Sequence, residues 1–304
     1  MKYTKGAVTV ADQIAMLRER GLVIADEPLA AHYLSTISYY RLAGYLLPLQ
    51  NDKVNHLYKP GSHFEQAVDM YRFDQKLRAL VLSITELIEV SIRTRLIYTL
   101  SLQHSPWWFE DPSLFNSPDE HADFLAAVDR ELEHSHEEFI RDHRRRYGDD
   151  ERRPPAWKTL EVATFGALSR LYGNIRPTLA GRGDIADFFL VPRENYLSGW
   201  LQSISQVRNI CAHHARLWNR TITATPRHIK RIQRPELRYN PISDSQRHKL
   251  YAVLCVMNYL LYTIEPAYSL RRHLVELFAE FPEVDTGAMG FPTDWQEQPL
   301  WKSR

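Results

Sequence analysis

Apolar side chains recur every three or four residues along positions 70–102, which is the pattern of a helix with one buried stripe. The repeat runs through Phe73, Leu77, Leu80, Ile84 and Leu87. A helix of this length buries its stripe best against other helices, and no segment shows the alternation of a convincing strand. The sequence therefore predicts an all-α fold, a bundle of long antiparallel helices.

Shorter helices and loops are predicted around this element. Further helices are expected at 10–20, from Pro28 through Ile37 towards Gly44, at 120–146, 159–172 and 194–219, and from Asp244 to Pro266. Proline, glycine and polar residues mark loops at 104–118, 148–158 and 181–183 and an irregular tail at 282–304. We accordingly expect a small N-terminal helical lobe at 1–60, a helical domain at 61–265 and a C-terminal extension at 266–304.

The composition excludes several classes of protein. The two cysteines, Cys211 and Cys255, are too few for a disulfide framework or a metal quartet and fit a reducing cytoplasm. The most apolar segment, 250–264, is about 15 residues long, whereas a membrane helix needs roughly 20. The N-terminus is not followed by the apolar run of a signal peptide. No Walker-type loop, His-Glu-x-x-His or Gly-x-Ser-x-Gly motif occurs. We therefore expect a cytoplasmic protein with no cofactor, no metal and no membrane partner.

Residues 206–220 hold the side chains best suited to catalysis. An arginine, an asparagine and two histidines fall within seven positions, as Arg208, Asn209, His213 and His214. An imidazole titrates near neutral pH and can carry protons, and a guanidinium is a permanent cation shaped for phosphate. These are the two groups that cleavage of RNA without a metal requires, so this segment is the candidate catalytic site.

A run of cations follows this motif, although the net charge of the chain is only +1. One acid, Glu236, stands among seven cations: Arg216, Arg220, Arg227, Lys230, Arg231, Arg234 and Arg238. Phosphate affinity depends on local charge, so we predict that the first six of these cations bind RNA. A solvated basic surface without function is the alternative.

Helical geometry separates the motif residues into inner and outer ones. At about 100° per residue, one core-facing stripe contains Trp200, Ile204, Val207, Cys211 and Trp218. Arg208 lies about 40° from the centre of this stripe, so it should be partly buried and paired with a carboxylate. Glu86 and Glu89 on the long helix are the candidates for this structural support. His213 lies near the opposite side, one turn from Asn209, and should face solvent or a partner subunit.

Each motif residue taken alone has a plainer interpretation. Arg208 could be a structural ion-pair arginine, and His213 an exposed histidine without a task. Their joint occurrence with His214 and the cationic run favours a functional site. The pair His134 and His136 is a weak metal candidate, because residues two apart point to different faces of a helix.

Three blocks of the chain, in this order, resemble a known family. They are Ile-Ser-Tyr-Tyr-Arg-Leu-Ala-Gly-Tyr at 37–45, Tyr-Arg-Phe-Asp-Gln-Lys-Leu-Arg and the helix it opens at 71–95, and Arg-Asn-Ile-Cys-Ala-His-His with its continuation at 208–219. Together they resemble the Abi-type (abortive infection, AbiD/AbiF-like) proteins of the HEPN superfamily over roughly residues 8–265. The chain departs from the family pattern at Ala43, where serine is expected, and in the tail at 282–304.

The resemblance implies a HEPN-type helical bundle and phage defence by RNA cleavage. It also implies a homodimer, because HEPN sites usually pair two Arg/His motifs across an interface. This chain carries one clear Arg-x-x-x-x-His, so a complete site needs a second copy. Some relatives in the family act with an RNA or protein antitoxin, a partner that the sequence neither shows nor excludes.

The resulting hypothesis is a metal-independent endoribonuclease of the toxin type. His213, or its counterpart in a second copy, would take the 2′-hydroxyl proton, and a protonated imidazole would return one to the 5′-oxygen. Arg208 would offset charge on the phosphorus, and Asn209 would orient the imidazole or bind a phosphate oxygen. His214 is the reserve candidate for the acid. Two rivals stay open: a non-catalytic RNA binder that serves as sensor or partner of a regulatory RNA, and a structural HEPN dimer that supports a nucleotidyltransferase.

Overall fold

The computed structural model describes residue 2 and residues 6–229, 232–240, 242–244 and 246–302. Helices dominate this part of the chain, so the prediction of an all-α fold is confirmed. They are α1 (Val10–Glu19), α2 (Glu27–Thr36), α3 (Tyr39–Leu46), α4 (Phe64–Gln103), α5 (Pro118–His134), α6 (Glu138–Arg146), α7 (Ala156–Val162), α8 (Phe165–Asn174), α9 (Ala180–Phe188), α10 (Glu194–Ala212), α11 (Leu250–Ile264), α12 (Leu270–Glu280) and α13 (Pro299–Lys302). The strands β1 (Gln50–Asp52) and β2 (Leu57–Tyr58), which were not predicted, form one small antiparallel ribbon. Within the described residues, no helix combines the length and the apolar composition that crossing a membrane requires.

The chain divides into two compact units whose limits differ from the boundaries expected at 60 and 265. The first unit comprises the residues up to Arg78 together with Val275–Val284. The second comprises Ala79–Leu274 and the residues from Asp285 onwards. Both limits near 78 and 274 fall inside continuous helices, α4 and α12. A boundary of this kind has no loop or linker composition, so the sequence pattern gives no sign of it.

A buried polar network lies in the core of the first unit. The hydroxyl of Tyr45 donates a hydrogen bond to Asp74 Oδ2 (2.6 Å), and Arg78 Nη1 donates to the same oxygen. Asp74 is 0% exposed and Arg78 is 5% exposed. Burial raises the pKa of Tyr45 well above its ordinary value, so the phenol remains a donor. The network joins α3 to α4, and Asp74 is the acceptor that both neighbours share.

The helix expected from Pro28 towards Gly44 is interrupted, which corrects the prediction. Ser38 takes a left-handed backbone conformation (φ 80°), and its hydroxyl accepts a hydrogen bond from the N–H of Arg41 (3.4 Å). A serine that bonds to the backbone in this way begins a new helix rather than continuing the old one. The segment therefore forms α2 and α3.

Two further helices are also divided by residues with hydroxyl side chains. The segment 120–146 forms α5 and α6, with an extended backbone at Ser135 between them. The segment 159–172 begins earlier, as α7, and α8 starts after Thr164, whose hydroxyl accepts the N–H of Ala167 (3.3 Å). The apolar periodicity continues unchanged across such caps. The sequence pattern therefore predicts one helix where the structure has two.

The prediction of a loop at 181–183 is wrong, because these residues belong to α9. Gly181 lies at a close approach between helices and not in a turn. A Cβ atom at this position would lie 2.7 Å from Leu100 Cδ2, on α4. Gly183, in contrast, has no atom within 4 Å of the position that its Cβ would occupy. The two glycines thus have different roles within one helix.

Replacing Gly181 by alanine should lower the free energy of unfolding by about 1–3 kcal/mol, because the added methyl group overpacks the contact between α9 and α4. Gly183→Ala is the matched control and should raise it by up to about 1 kcal/mol, since alanine is the better helix former. Urea denaturation followed by circular dichroism measures both. Equal effects of the two substitutions would contradict the close approach.

The C-terminal part of the chain is more ordered than predicted. The helix expected from 244 begins six residues later as α11, and α12 was not predicted. The tail 282–304 was expected to be irregular, yet α13 and the fully buried Trp301 lie within it. Asn258, inside α11, donates a hydrogen bond to the carbonyl of Leu300 (2.9 Å). Several side chains of residues 285–302 therefore extend the core of the second unit.

Candidate functional site

Helix α10 carries the motif and holds it by its buried stripe. Its stripe side chains are 0% exposed, as predicted, at Trp200, Ile204, Val207 and Cys211. The helix packs against α8, α9 and α11, and the indole of Trp200 donates to the carbonyl of Arg227 (2.8 Å). Trp218 is buried as well, at 3% exposure. Both tryptophans therefore serve the core and are not surfaces on which a base could stack.

The helix ends at the histidine pair, seven residues before the predicted end at Asn219. The N–H of Ala215 donates to the carbonyl of Ile210 (3.0 Å), and the N–H of His214 donates to that of Cys211 (2.9 Å). His214 has a left-handed backbone (φ 53°). This is the Schellman arrangement, which commonly places glycine where His214 stands. It terminates α10 and turns the chain sharply after His213.

Both histidines are exposed at this turn. The exposure of His213 agrees with the outward direction that helical geometry predicts. Asn209, one turn earlier, is exposed as well. The motif therefore presents two imidazoles and an amide on one end of α10, where a substrate or a second chain can reach them.

Arg208 is half-buried, as expected, but its predicted carboxylate partners do not reach it. Its Nη1 donates instead to the amide oxygen of the neighbouring Asn209 (3.2 Å). Glu89 accepts a hydrogen bond from Arg93 (2.8 Å), and Glu86 is exposed. The proposed support by these two glutamates is thus corrected: Arg93 lies one turn from Glu89 on α4 and is the nearer cation.

A shallow cavity of about 540 Å³ lies at this end of α10. Its walls include Asn209, His213 and Arg220, and no acidic side chain is among the described residues that line it. Arg208 and His214 adjoin these residues in sequence without lining the cavity. A cavity with an imidazole, an amide and a cation, free of carboxylates, suits a phosphate group.

Gln206 also lines this cavity, although the sequence motif did not predict a role for it. Its amide oxygen accepts the backbone N–H groups of Thr223 (3.1 Å) and Ala224 (2.8 Å), and its amide nitrogen donates to the Thr223 hydroxyl. It therefore fixes the chain that follows the motif. The available signal was its position one turn before Asn209, on the same face.

The described residues that follow the motif, 216–229 and 232–240, include positions that lie back along α10; we call them the return segment. Residues 223 and 224 lie beside Gln206. Arg227 lies beside Trp200, which is six residues nearer the start of the helix than Gln206. The predicted RNA-binding cations divide as follows: exposed Arg220, Arg227 and Arg234, half-buried Arg216, and Lys230 and Arg231 outside the described residues. Arg238 is exposed as well. The exposed arginines thus follow the length of α10 and do not cluster at its end.

His228 lies in the same segment but adds no charge to it. Its ring packs edge-on against that of Tyr239, with 4.7 Å between the ring centroids. Burial lowers the pKa of His228 below its usual range, so this imidazole is neutral at physiological pH. It is therefore no substitute for the exposed His213 and His214.

Comparison with known proteins adds one finding. The model of the family described as Abi-like protein matches residues 32–219, which is well over half of the chain. The match extends from α2 to the turn that carries the histidine pair. Neither a curated protein nor a solved structure matches the chain.

Proposed function

Since the chain belongs to the Abi-like protein family, we propose that it is a metal-independent endoribonuclease of the HEPN type. Family membership supports a role in abortive infection, the defence against phage. The observation that carries the proposed chemistry is the exposed His213 in a cavity with Asn209 and Arg220, where no carboxylate is among the described lining residues. Such a site attracts a phosphodiester and offers it a proton carrier.

In the proposed reaction, the ribose 2′-oxygen attacks the adjacent phosphorus and the bond to the 5′-oxygen breaks. An imidazole of His213 takes the proton of the 2′-hydroxyl, and a protonated imidazole gives one to the departing 5′-oxygen. Arg208 and Arg220 offset the negative charge on the phosphoryl oxygens. The products are a 2′,3′-cyclic phosphate and a 5′-hydroxyl.

The reaction needs two imidazoles in opposite protonation states, and each chain offers one clear Arg-x-x-x-x-His. We propose that a second copy supplies the other one, in a homodimer of the AbiD/AbiF-like type. The exposed position of His213 at the end of α10 supports this arrangement. His214 is the alternative source of the acid within one chain. An RNA or protein antitoxin would act by covering the same end of α10.

A second candidate function is RNA binding without cleavage, as a sensor or as the partner of a regulatory RNA. The exposed arginines along the return segment favour it, because phosphate contacts need cations but no proton transfer. An affinity for RNA that falls steeply with salt, without fragments, would select this alternative.

The test of the proposed nuclease is incubation of the purified protein with total RNA in EDTA. We expect fragments that end in 2′,3′-cyclic phosphate, and no cleavage of a strand in which every 2′-hydroxyl is replaced by hydrogen. Cleavage of that deoxy strand, or a strict need for Mg²⁺, would overturn the proposed chemistry.

A further inference from the structure

A second cavity, of about 310 Å³, lies at the far end of the return segment. Its walls come from the turn between α9 and α10 and from α11, and include Asp187, Leu190, Pro192, Gln233, Arg234 and Tyr259. A cavity of this volume is at the small end of the range that ligand sites occupy. The cavity thus combines apolar side chains with two charged residues and an amide, which suits a ligand that has both an apolar face and hydrogen-bonding groups.

The wall of this cavity is held in place before any ligand arrives. Leu190 has a left-handed backbone (φ 59°), which costs about 1–2 kcal/mol in a residue other than glycine. Its N–H donates to the carbonyl of Asp187 (2.9 Å), and its carbonyl accepts the hydroxyl of Tyr259 (2.6 Å). Burial raises the pKa of Tyr259 to about 12, so this hydroxyl stays protonated and keeps its bond. The left-handed conformation is therefore fixed from both sides.

Two charged residues, Arg234 and Asp187, line the cavity. Arg234 is positioned by Glu236 (3.4 Å) and by the ring of Tyr262, whose centroid lies 5.9 Å from the guanidinium carbon. Its planar group can stack on a base and contact phosphate. Asp187 is exposed and presents a carboxylate, an acceptor with two oxygens and no donor. A carboxylate repels phosphate, so Asp187 is better suited to a part of a ligand that carries hydrogen-bond donors.

The course of the return segment relates this cavity to the motif. From His213 back to Trp200, α10 covers about 20 Å, and back to its first residue about 30 Å. Within the described residues of the return segment, Arg220 lines the cavity with His213 and Arg234 lines the second cavity. A mononucleotide cannot occupy both places, whereas a single strand of several nucleotides can follow the arginines between them.

We infer that the cavity beside Asp187 and Arg234 is a guanine-binding subsite for single-stranded RNA. The inference rests on RNA being the substrate, as proposed above. Guanine is the base that presents two adjacent donors, N1–H and N2–H, on its pairing edge, and a carboxylate with two oxygens accepts both. Bases splayed from a single strand are read on this edge. The protein would thus select RNA with a guanosine several nucleotides from the bond it cuts.

The test measures binding separately from cleavage, with the full-length His213→Ala variant as the non-cleaving protein. The probes are a fluorescently labelled uridine dodecamer and its twelve derivatives with one guanosine. We expect guanosine to raise the affinity about tenfold at a restricted set of positions. Adding Asp187→Asn should reduce this gain to less than about twofold and leave the affinity for the all-uridine strand intact.

Asp184→Asn is the matched control. Asp184 lies one turn earlier on α9, bonds to Gln103 (2.6 Å) and does not line the cavity, so this variant should keep the tenfold gain. No gain at any position, or a gain that Asp187→Asn leaves intact, would overturn the subsite. If the wild-type protein still cuts RNA in that case, the proposed nuclease activity stands without the guanine subsite. A guanosine-dependent affinity in a protein that never cuts would leave the subsite standing and overturn the nuclease.

Discussion

Replacing His213 by alanine should lower the rate of RNA cleavage by about 10²- to 10⁴-fold, the contribution typical of general acid–base catalysis. The side chain is exposed, and the backbone N–H of His213 keeps its bond to the carbonyl of Asn209 (3.0 Å) in the variant. The melting temperature should therefore change little. Initial rates on a defined RNA, together with thermal unfolding, measure the two effects.

His214→Gly is the control that separates the two imidazoles. The left-handed backbone of His214 suits glycine, so this variant removes the ring and preserves the turn that ends α10. If His213 is the base, His214→Gly retains far more activity than His213→Ala. The reverse order would assign the essential proton transfer to His214, and full activity in both variants would refute the proposed site.

Replacing Asp74 by alanine should lower the free energy of unfolding by about 3–5 kcal/mol, the cost of leaving a buried charge without its partner. Arg78 would keep its charge at 5% exposure, and the Tyr45 hydroxyl would lose its acceptor. Urea denaturation of the whole protein measures the effect. Because Asp74 belongs to the first unit and the motif to the second, any folded fraction should still bind RNA if the proposed function is right.

The ion pair between Lys76 and Glu280 supplies the comparison. It lies in the same unit, but its side chains are 53% and 50% exposed. Glu280→Ala should therefore cost at most about 1 kcal/mol, because solvent screens exposed pairs. A loss at Asp74 no larger than that at Glu280 would show that the buried network does not stabilise the fold.

The features that could be predicted from sequence are those set by a periodic stripe. The apolar repeat of α10 gave its core face, and the phase of that stripe placed Arg208 half-buried and His213 exposed. These results follow because side-chain direction along a regular helix depends on spacing alone. Composition likewise located the cationic run after the motif. In α4 the repeat was only partly right, because Leu80 and Leu87 are half-buried and the core face continues through Val81 and Ile88 instead.

The features that were missed depend on single local bonds. Ser38 and Thr164 divide helices through one side-chain hydrogen bond each, which the apolar pattern does not register. Gly181 looks like a turn residue, but it serves the packing of α9 on α4. The end of α10 at Ala212 depends on a left-handed histidine, which sequence rules would not expect in place of glycine.

Parts of the candidate site were missed because they depend on tertiary contacts. Glu89 was predicted to pair with Arg208, whereas the structure pairs it with Arg93 on its own helix. The course of the return segment depends on Gln206 and Trp200, whose bonds join residues 17 to 27 positions apart. No spacing rule connects such positions, so the second cavity had no sequence signal.

The left-handed conformation of His214 makes its side chain costly to the stability of the fold. A residue other than glycine in this conformation costs about 1 kcal/mol or more. Laboratory evolution for thermal resistance alone should therefore drift to glycine there. If selection for phage resistance in living cells keeps the histidine instead, the imidazole of His214 contributes more to that resistance than its backbone conformation costs in stability.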